Sequence, residues 1–415
     1  MAIVKKREAK TQGFNVQKIR KEFPMLKTKM NGKTLVYLDS AATGQKPARV
    51  IKCINEFYTK EYAKPNEEHE LSQKVTKGVE DTRKKVADFL NASSPKEIIF
   101  SRGCTEGINI IASSFARGVL KRGDEVLITQ LEHHANIVPW QMACETTGAR
   151  LKVAPITPTG ELDMDVFETM ITGKTKIISV SHSSHVLGTV LPIKQITKLA
   201  HKRGIPVHVD GAQTAPHMPV DMKELGCDFF TFSGHKMGSP SGVGVLYGKK
   251  KWLNQIPPSE GGGDMAKKVS FTDSYYADLP KKFEAGTMPF GEIIAFGVMI
   301  DYLNEMGMDK SKQYELKLLE YATDQLSQIP GLTIYGSAPE KEPVISFSVK
   351  SVKPKKLEKF LSDEHNINIR SGDMTAQPLM EILGEKELIR LSLCYYNTMG
   401  EIDLFVAALK EYMKK

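Results

Sequence analysis

Four short stretches of this sequence carry residue types that handle protons, anions and carbonyl groups, and each follows a β-like run. Asp210-Gly-Ala-Gln213 follows Pro206–Val209, and Ser233-Gly-His-Lys236 follows Asp228–Phe232. Arg102-Gly-Cys-Thr-Glu106 follows Glu97–Ser101, and Glu132-His-His134 follows Glu125–Thr129. The strand ends thus offer a carboxylate, a lysine, a small-residue turn opening a helix, and a histidine pair. Taken singly, each has an ordinary explanation. An Asp after a strand caps a helix, a turn lysine is solvated, Gly-Cys-Thr is an N-cap, and one of two histidines lies at the surface.

Together they are the equipment that pyridoxal 5'-phosphate (PLP) needs. Its aldehyde requires an amine, and a lysine in a partly desolvated pocket supplies a neutral one. Its pyridine nitrogen must stay protonated for the ring to act as an electron sink, which calls for a buried carboxylate. Its phosphate suits backbone N–H groups at a helix start. A flat imidazole can stack on the ring. On this reading Lys236 holds the cofactor and Asp210 faces the ring nitrogen.

The elements that must position these residues are legible in the hydrophobic pattern. From about residue 95 to 250, short β-rich runs alternate with helical stretches, which predicts an α/β fold with a doubly wound, mostly parallel sheet. Ligands bind at the carboxyl ends of strands in such sheets. After about residue 290 two long amphipathic helices, 292–306 and 309–328, lead into short strands near 332–335, 344–349, 367–370 and 389–394. The expected organisation is a large PLP-binding domain over 31–290 and a smaller α+β domain from 1–30 and 291–415. A helix over 15–23 could pack with the smaller one.

Composition bounds the rest. With 415 residues, 41% hydrophobic and 26% charged, the chain fits a soluble protein of two or more domains. No apolar run approaches a membrane span, and the basic start lacks the apolar stretch of a signal peptide. Cys53, Cys104, Cys144, Cys227 and Cys394 are scattered without a CxxC pair, so neither a disulfide framework nor a metal site is expected and a reducing cytoplasm is the default. The net charge of +8 is spread along the chain. Its short clusters, Lys249–Lys251 and Lys353–Lys356, read as solvated surface and not as a nucleic-acid footprint.

Longer motifs carry a resemblance. They include Val36-Tyr-Leu-Asp-Ser-Ala-Ala-Thr43, Arg102-Gly-Cys-Thr-Glu-Gly-Ile-Asn109, Glu132-His-His-Ala-Asn-Ile-Val-Pro-Trp140, Val209-Asp-Gly-Ala-Gln213, Phe232-Ser-Gly-His-Lys236, Phe283-Glu-Ala-Gly-Thr287 and Arg390-Leu-Ser-Leu393. With them the chain, from Phe23 to Leu409, resembles the class V aminotransferase-fold PLP enzymes, in the cysteine desulfurase / selenocysteine lyase branch. The resemblance implies PLP-dependent transferase fold type I and a homodimer with sites at the subunit interface. It implies that Lys236 binds the cofactor covalently, Asp210 holds the pyridine nitrogen, Gln213 the ring oxygen, and His133 stacks on the ring and handles protons. Cys104, Thr105, Ser233 and His235 would bind the phosphate, with Thr287 reaching in from a second subunit. Arg390 would clamp the α-carboxylate of an amino-acid substrate.

The resemblance breaks on the substrate side. Desulfurases of this branch carry Arg-Thr-Gly-His-His-Cys before Ala-Gln-Pro-Leu-Met, and the cysteine takes the substrate sulfur. Here the loop reads Arg370-Ser-Gly-Asp-Met-Thr375. A hydroxyl has no accessible anion near neutral pH and cannot hold a transferable persulfide. Cys104 would face the phosphate end, and Cys394, four residues past Arg390 on the same strand face, would lie roughly 13 Å further on. His185 replaces an expected Asn, and Lys64-Pro-Asn-Glu-Glu-His69 replaces a His-Arg-Gly segment. These departures imply an altered substrate, with Arg370, His185 and Thr375 lining its side of the pocket. The expected activity is Cβ cleavage, C–S or C–Se, without a persulfide-carrying cysteine. Transamination or epimerisation on the same cofactor, and a non-catalytic role beside sulfur-transfer proteins, remain open at this point.

Overall fold

A computed structural model of the chain describes residues 14–415. Its centre is a seven-stranded sheet formed by β1 (Ile98–Ser101), β2 (Glu125–Thr129), β3 (Arg150–Ala154), β4 (Thr175–Ser181), β5 (Val207–Asp210), β6 (Phe229–Ser233) and β7 (Gly244–Gly248). The strand order is β1-β7-β6-β5-β4-β2-β3. Only β7 runs antiparallel to its neighbours. The interior strands are apolar and buried along their length, as a sheet covered on both faces requires. The sequence reading placed six of these strands and missed β3. That edge strand reads Arg-Leu-Lys-Val-Ala and is only partly buried, so it lacks the apolar run that marks the others.

The helix Cys104–Gly118 starts directly after β1, and Val138–Thr147 follows β2. Both pack with Ile99, Val126, Phe229 and Leu246 in one apolar cluster. The opposite face of the sheet packs with the helix Phe290–Met306 through Ile293, Phe296 and Ile300. That helix was expected to be amphipathic. It is instead apolar on most faces, because it is sandwiched by the helices Ala48–Glu56 and Glu70–Phe89.

A second, antiparallel sheet joins β8 (Leu332–Tyr335), β9 (Val344–Val349), β10 (Arg370–Gly372) and β11 (Leu388–Ser392) in the order β8-β9-β11-β10. It packs with the helices Met308–Ser327, Pro354–His365 and Met399–Tyr412 around a separate core of Leu318, Phe347, Leu361 and Phe405. Val16, in the short helix Val16–Arg20, belongs to this core, while Phe23 and Leu26 belong to that of the main sheet. Val36–Tyr37 pairs in parallel with Ile367–Asn368, and Asp39 bridges Ser392. This crossing strap brings the N-terminal segment against the end of β11. The strand expected over 389–394 stops at Ser392, where Cys394 N–H turns back to Asn397 Oδ1 at 2.9 Å.

Candidate active site

The carboxyl ends of β1, β2, β4, β5 and β6 open onto a cavity of about 320 Å³. Of the residues singled out from the sequence, Cys104, Thr105, His133, His185, Asp210, Gln213, Ser233, His235, Lys236, Arg370, Thr375 and Arg390 all line it. Thr287 does not; it is exposed in the loop before Phe290. The Lys64–His69 segment does not line it either. His69 instead caps the helix Glu70–Phe89, accepting Ser72 N–H at 3.2 Å, and Lys64 pairs with Glu67 and Asp264 at the surface.

Lys236 sits one turn beyond β6, where Ser233-Gly-His-Lys bends into a short helix. Its Nζ makes no hydrogen bond or ion pair among the described residues. Burial lowers its pKa from the ordinary lysine value, against the pull of Asp210. This is the condition for an amine that must be neutral to react. The turn is pressed against Gly44, whose N–H donates to His235 O at 3.0 Å. A Cβ on Gly44 would lie 2.4 Å from Lys236 O, so only glycine fits this close approach.

Asp210 ends β5 and is buried. Its Oδ1 accepts Ala212 N–H at 2.9 Å and the Cys104 thiol at 3.1 Å. Its Oδ2 takes no hydrogen bond from the described residues and is left for a donor in the cavity. Gln213 Nε2 donates to Ala41 O at 3.0 Å, while its Oε1 is buried without a partner. The Cys104 thiol points at this carboxylate and not at the phosphate end expected for it. What Cys104 offers near the helix start is its backbone, whose N–H donates to Ser233 Oγ at 2.8 Å. Gly103, at φ 150°, caps the fifteen-residue helix with no side chain of its own, and beyond Cys104 N–H the first-turn N–H groups have no side-chain acceptor among the described residues, as an anion site at a helix N-terminus needs.

His133 and His134 divide as a pair. His133 lines the cavity, and its Nδ1 accepts Ala135 N–H at 3.0 Å, which leaves any proton on Nε2. Burial, with Lys236 nearby, lowers its pKa to about 4. His134 holds the opposite wall: its N–H donates to Thr375 O at 3.0 Å and its Nε2 accepts Gln377 N–H at 3.1 Å. His185 packs edge-on to His133 with ring centroids 4.8 Å apart, and its Nε2 meets Met374 O at 2.9 Å. Burial pushes His185 well below the ordinary histidine value, so it is a neutral donor to that carbonyl.

These contacts pin the loop 370–376. Met374 and Thr375 both adopt left-handed backbone, φ 54° and 58°, which is uncommon for a β-branched residue. Asp373 stabilises the turn, its Oδ1 accepting Thr375 N–H at 3.1 Å and its carbonyl accepting Ala376 N–H at 2.9 Å. Arg390, on β11, is buried; its Nη2 pairs with Asp39 Oδ1 at 2.9 Å and its Nη1 donates to His185 O at 3.0 Å. Sequence reasoning missed Asp39 as the partner of Arg390, although it lies inside a quoted motif. Cys394 is off this site. It is buried with His217 and Glu315, all three donor atoms lying within 4.8 Å of one another.

Residues 36–405 match the family model described as aminotransferase class-V. The chain belongs to that family. A cysteine desulfurase of Yersinia pestis (strain Pestoides F) is 46% identical over 403 residues, covering 97% of this chain and 99% of the relative. The crystal structure of the Escherichia coli cysteine desulfurase CsdA (S-sulfonic acid) superimposes with a TM-score of 0.90 at 34% identity, over 97% of this chain and 99% of that one. The apo cysteine desulfurase of Thermococcus onnurineus NA1 gives 0.90 at 32% identity, over 96% and 98%. The protein is a cysteine desulfurase-like PLP enzyme of fold type I, as the resemblance implied. The residues present fit that cofactor: an unpaired lysine of lowered pKa, a free Oδ2 on Asp210, and an uncapped helix start beside Ser233.

Proposed function

We propose that this protein cleaves the Cβ–S or Cβ–Se bond of a small amino acid whose leaving group departs without a thiol acceptor. The observation that carries the reading is the wall opposite Lys236. Thr375 occupies the loop between Arg370 and Ala376, in the cavity shared with Lys236 and Arg390. The only cysteine lining that cavity is Cys104. Its thiol is turned to Asp210, and burial raises its pKa well above the ordinary value. Neither group offers a nucleophile that could accept sulfur.

Bound PLP supplies an electron sink conjugated to the substrate's Cα. Arg390 holds the substrate α-carboxylate through its guanidinium, and Arg370 adds positive charge on the same side. Asp210 Oδ2 would hold the ring nitrogen's proton, Gln213 would bind the ring oxygen, and His133 would stack on the ring. The helix start at Cys104 and Thr105, with Ser233 and His235, would hold the phosphate, and Thr287 of a second copy would complete that site in a cytoplasmic homodimer. Lys236 Nζ, kept from permanent charge by burial, would take the proton from Cα, deliver one to Cβ after the leaving group departs, and return one to Cα before the product leaves. With cysteine sulfinate the C–S bond would break with its electron pair left on Cβ, giving alanine and sulfur dioxide, which water hydrates to sulfite. The separate core of the second sheet supports a two-domain organisation, proposed as 31–290 against 1–30 with 291–415, although Phe23, Leu26 and the helix Phe290–Met306 pack on the main sheet; residues 1–13 lie outside the described structure.

Assays with cysteine, cysteine sulfinate and selenocysteine test the reading. Alanine is expected from the sulfinate or selenium substrate, with no sulfur retained on the protein. Absence of alanine from all three would overturn it. Accumulation of a pyridoxamine form with an amino donor, or Cα–H exchange alone, would assign transamination or epimerisation instead. A chain that bound no cofactor would favour the non-catalytic role.

A further inference from the structure

Behind Asp210, on the sheet face that packs against the helix Cys104–Gly118, lies a line of buried polar side chains. Cys104 Sγ contacts Thr231 Oγ1 at 3.2 Å, Thr231 Oγ1 meets His208 Nε2 at 2.9 Å, and His208 Nδ1 meets Ser179 Oγ at 2.7 Å. Ser179 Oγ donates to Asn136 Oδ1 at 2.5 Å. The strand registers dictate this row. Ser179 pairs with His208 and Asp210 with Thr231, and alternation turns His208, Asp210 and Thr231 to the same face. Ser179, His208, Thr231 and Asn136 are all 0% exposed, so their partners come from the protein, with Trp140 Nε1 also donating to Asn136 Oδ1 at 3.1 Å and Ser179 Oγ at 2.9 Å.

Both ends of this line are acceptors: Asn136 Oδ1 at one, Asp210 Oδ1 at the other. Between them run five links, and Ser179, Thr231, Cys104 and a neutral His208 supply four protons. One link therefore always lacks its hydrogen. At the Asn136 end the missing hydrogen would leave two oxygens facing each other at 2.5 Å. The deficit therefore falls on the thiol links, where a hydrogen bond is weakest. Whether the thiol proton points to Asp210 or to Thr231 depends on the hydroxyl and imidazole behind it.

We infer that Cys104, Thr231 and His208 form a proton-deficient relay that decides whether Asp210 Oδ1 receives the thiol hydrogen, and that they are positioning residues for the nitrogen end of the cofactor. The inference rests on cofactor binding by this family and is independent of the role of Thr375. Burial holds His208 neutral, with a pKa of about 4, which keeps the relay short of its fifth proton at neutral pH. The titratable and charged groups acting on Asp210 are Cys104 from the helix start, His208 on its own strand, Lys236 beyond β6 and His133 beyond β2. Of these, only Cys104 touches the carboxylate through a hydrogen bond.

The test is the pH titration of the visible absorbance band of the holoenzyme. A carboxylate that loses its thiol donor is more basic and offsets more of the ring's positive charge. The lysine nitrogen conjugated to the ring then keeps its proton to higher pH. Cys104→Ala should move the midpoint upward by about 0.5 pH unit or more, the near-isosteric Thr231→Val, which leaves the thiol proton no acceptor but Asp210, should move it downward, and Cys104→Ser, which keeps a donor, should stay within about 0.2 unit of wild type. Far-UV circular dichroism and cofactor stoichiometry establish that each variant is folded and loaded; Thr231→Val, which preserves shape, carries the test if Cys104→Ala does not fold. Midpoints unchanged in the folded variants, or Cys104→Ser displaced as far as Cys104→Ala, would overturn the relay and leave only packing. A wild-type protein with no visible band would instead overturn the cofactor assignment.

Discussion

Replacing Thr375 by cysteine should turn this pocket into one that carries sulfur. Thr375 lines the cavity with Arg370 and Arg390, so a thiol there would share it with two cationic side chains. An ordinary cysteine, with a pKa of about 8.5, is roughly 10% thiolate at pH 7.5. Lowering that pKa by about one unit, as neighbouring cations do, makes it about half thiolate. A hydroxyl titrating near the value of water, about 15.7, offers an anion fraction on the order of 10⁻⁸ at the same pH. The substitution therefore raises the nucleophile population about 5 × 10⁷-fold. The backbone does not obstruct it. Position 375 is exposed at φ 58°, and cysteine lacks the β-branch that makes threonine uncomfortable there. After incubation with cysteine, intact-protein mass should show one added sulfur on Thr375→Cys, removable by a thiol reductant, and none on wild type or Thr375→Ser. A folded, PLP-loaded Thr375→Cys that gains no sulfur would refute the placement of residue 375 at the point of sulfur attack. Sulfur gained by the wild type on Cys104 would refute the claim that its buried thiol is inert.

Other perturbations follow from the same geometry. Asp39→Ala leaves the buried Arg390 guanidinium without its ion-pair partner; a loss of about 3–5 kcal/mol is expected in denaturant unfolding, and a variant as stable as wild type would show that the pair is dispensable. Gly44→Ala forces a Cβ to 2.4 Å from Lys236 O, a backbone atom that cannot swing aside. It should cost about 1–3 kcal/mol and weaken cofactor retention, read as faster release of PLP on dialysis. His133 should keep its neutral ring down to pH about 4, because burial is the main force lowering it. Its imidazole resonances should not move between pH 8 and 5, and an NMR midpoint near the ordinary value of about 6.5 would contradict the burial argument.

The site was legible in the sequence wherever it hangs on a strand end. Asp210, Ser233 and Lys236 are placed by apolar runs that cannot be anything but buried strands, and the α/β rule says where such strands present ligands. What could not be read is whatever depends on contacts between distant segments. Arg390 and Asp39 are 351 positions apart, and no periodicity links them. Cys394 was expected on the face of a continuing strand. The chain leaves the sheet at Ser392 because Leu393 N–H is taken by Pro343 O and Cys394 N–H by Asn397, a turn with no glycine or proline to announce it.

Cys104 shows the same limit in a form that changes the chemistry. Its position at a helix start was correct, and the start does present backbone N–H groups. The direction of its side chain is decided by other things: Gly103 entering the helix at φ 150°, Ser233 Oγ taking the Cys104 N–H, and the polar row on β4, β5 and β6 that receives the thiol. None of these is local to residue 104. The thiol that the resemblance assigned to the phosphate instead meets the carboxylate of Asp210. Thr231 and His208, which read as interior strand positions in an apolar sheet, are buried polar groups that nothing in the core would require. Burying a hydroxyl and an imidazole in a sheet is costly unless each hydrogen bond is made, and here they make theirs only with one another, with Ser179 and with Cys104. A polar file that ends on the carboxylate facing the cofactor is better explained by what it does to that carboxylate than by the stability of the sheet it interrupts.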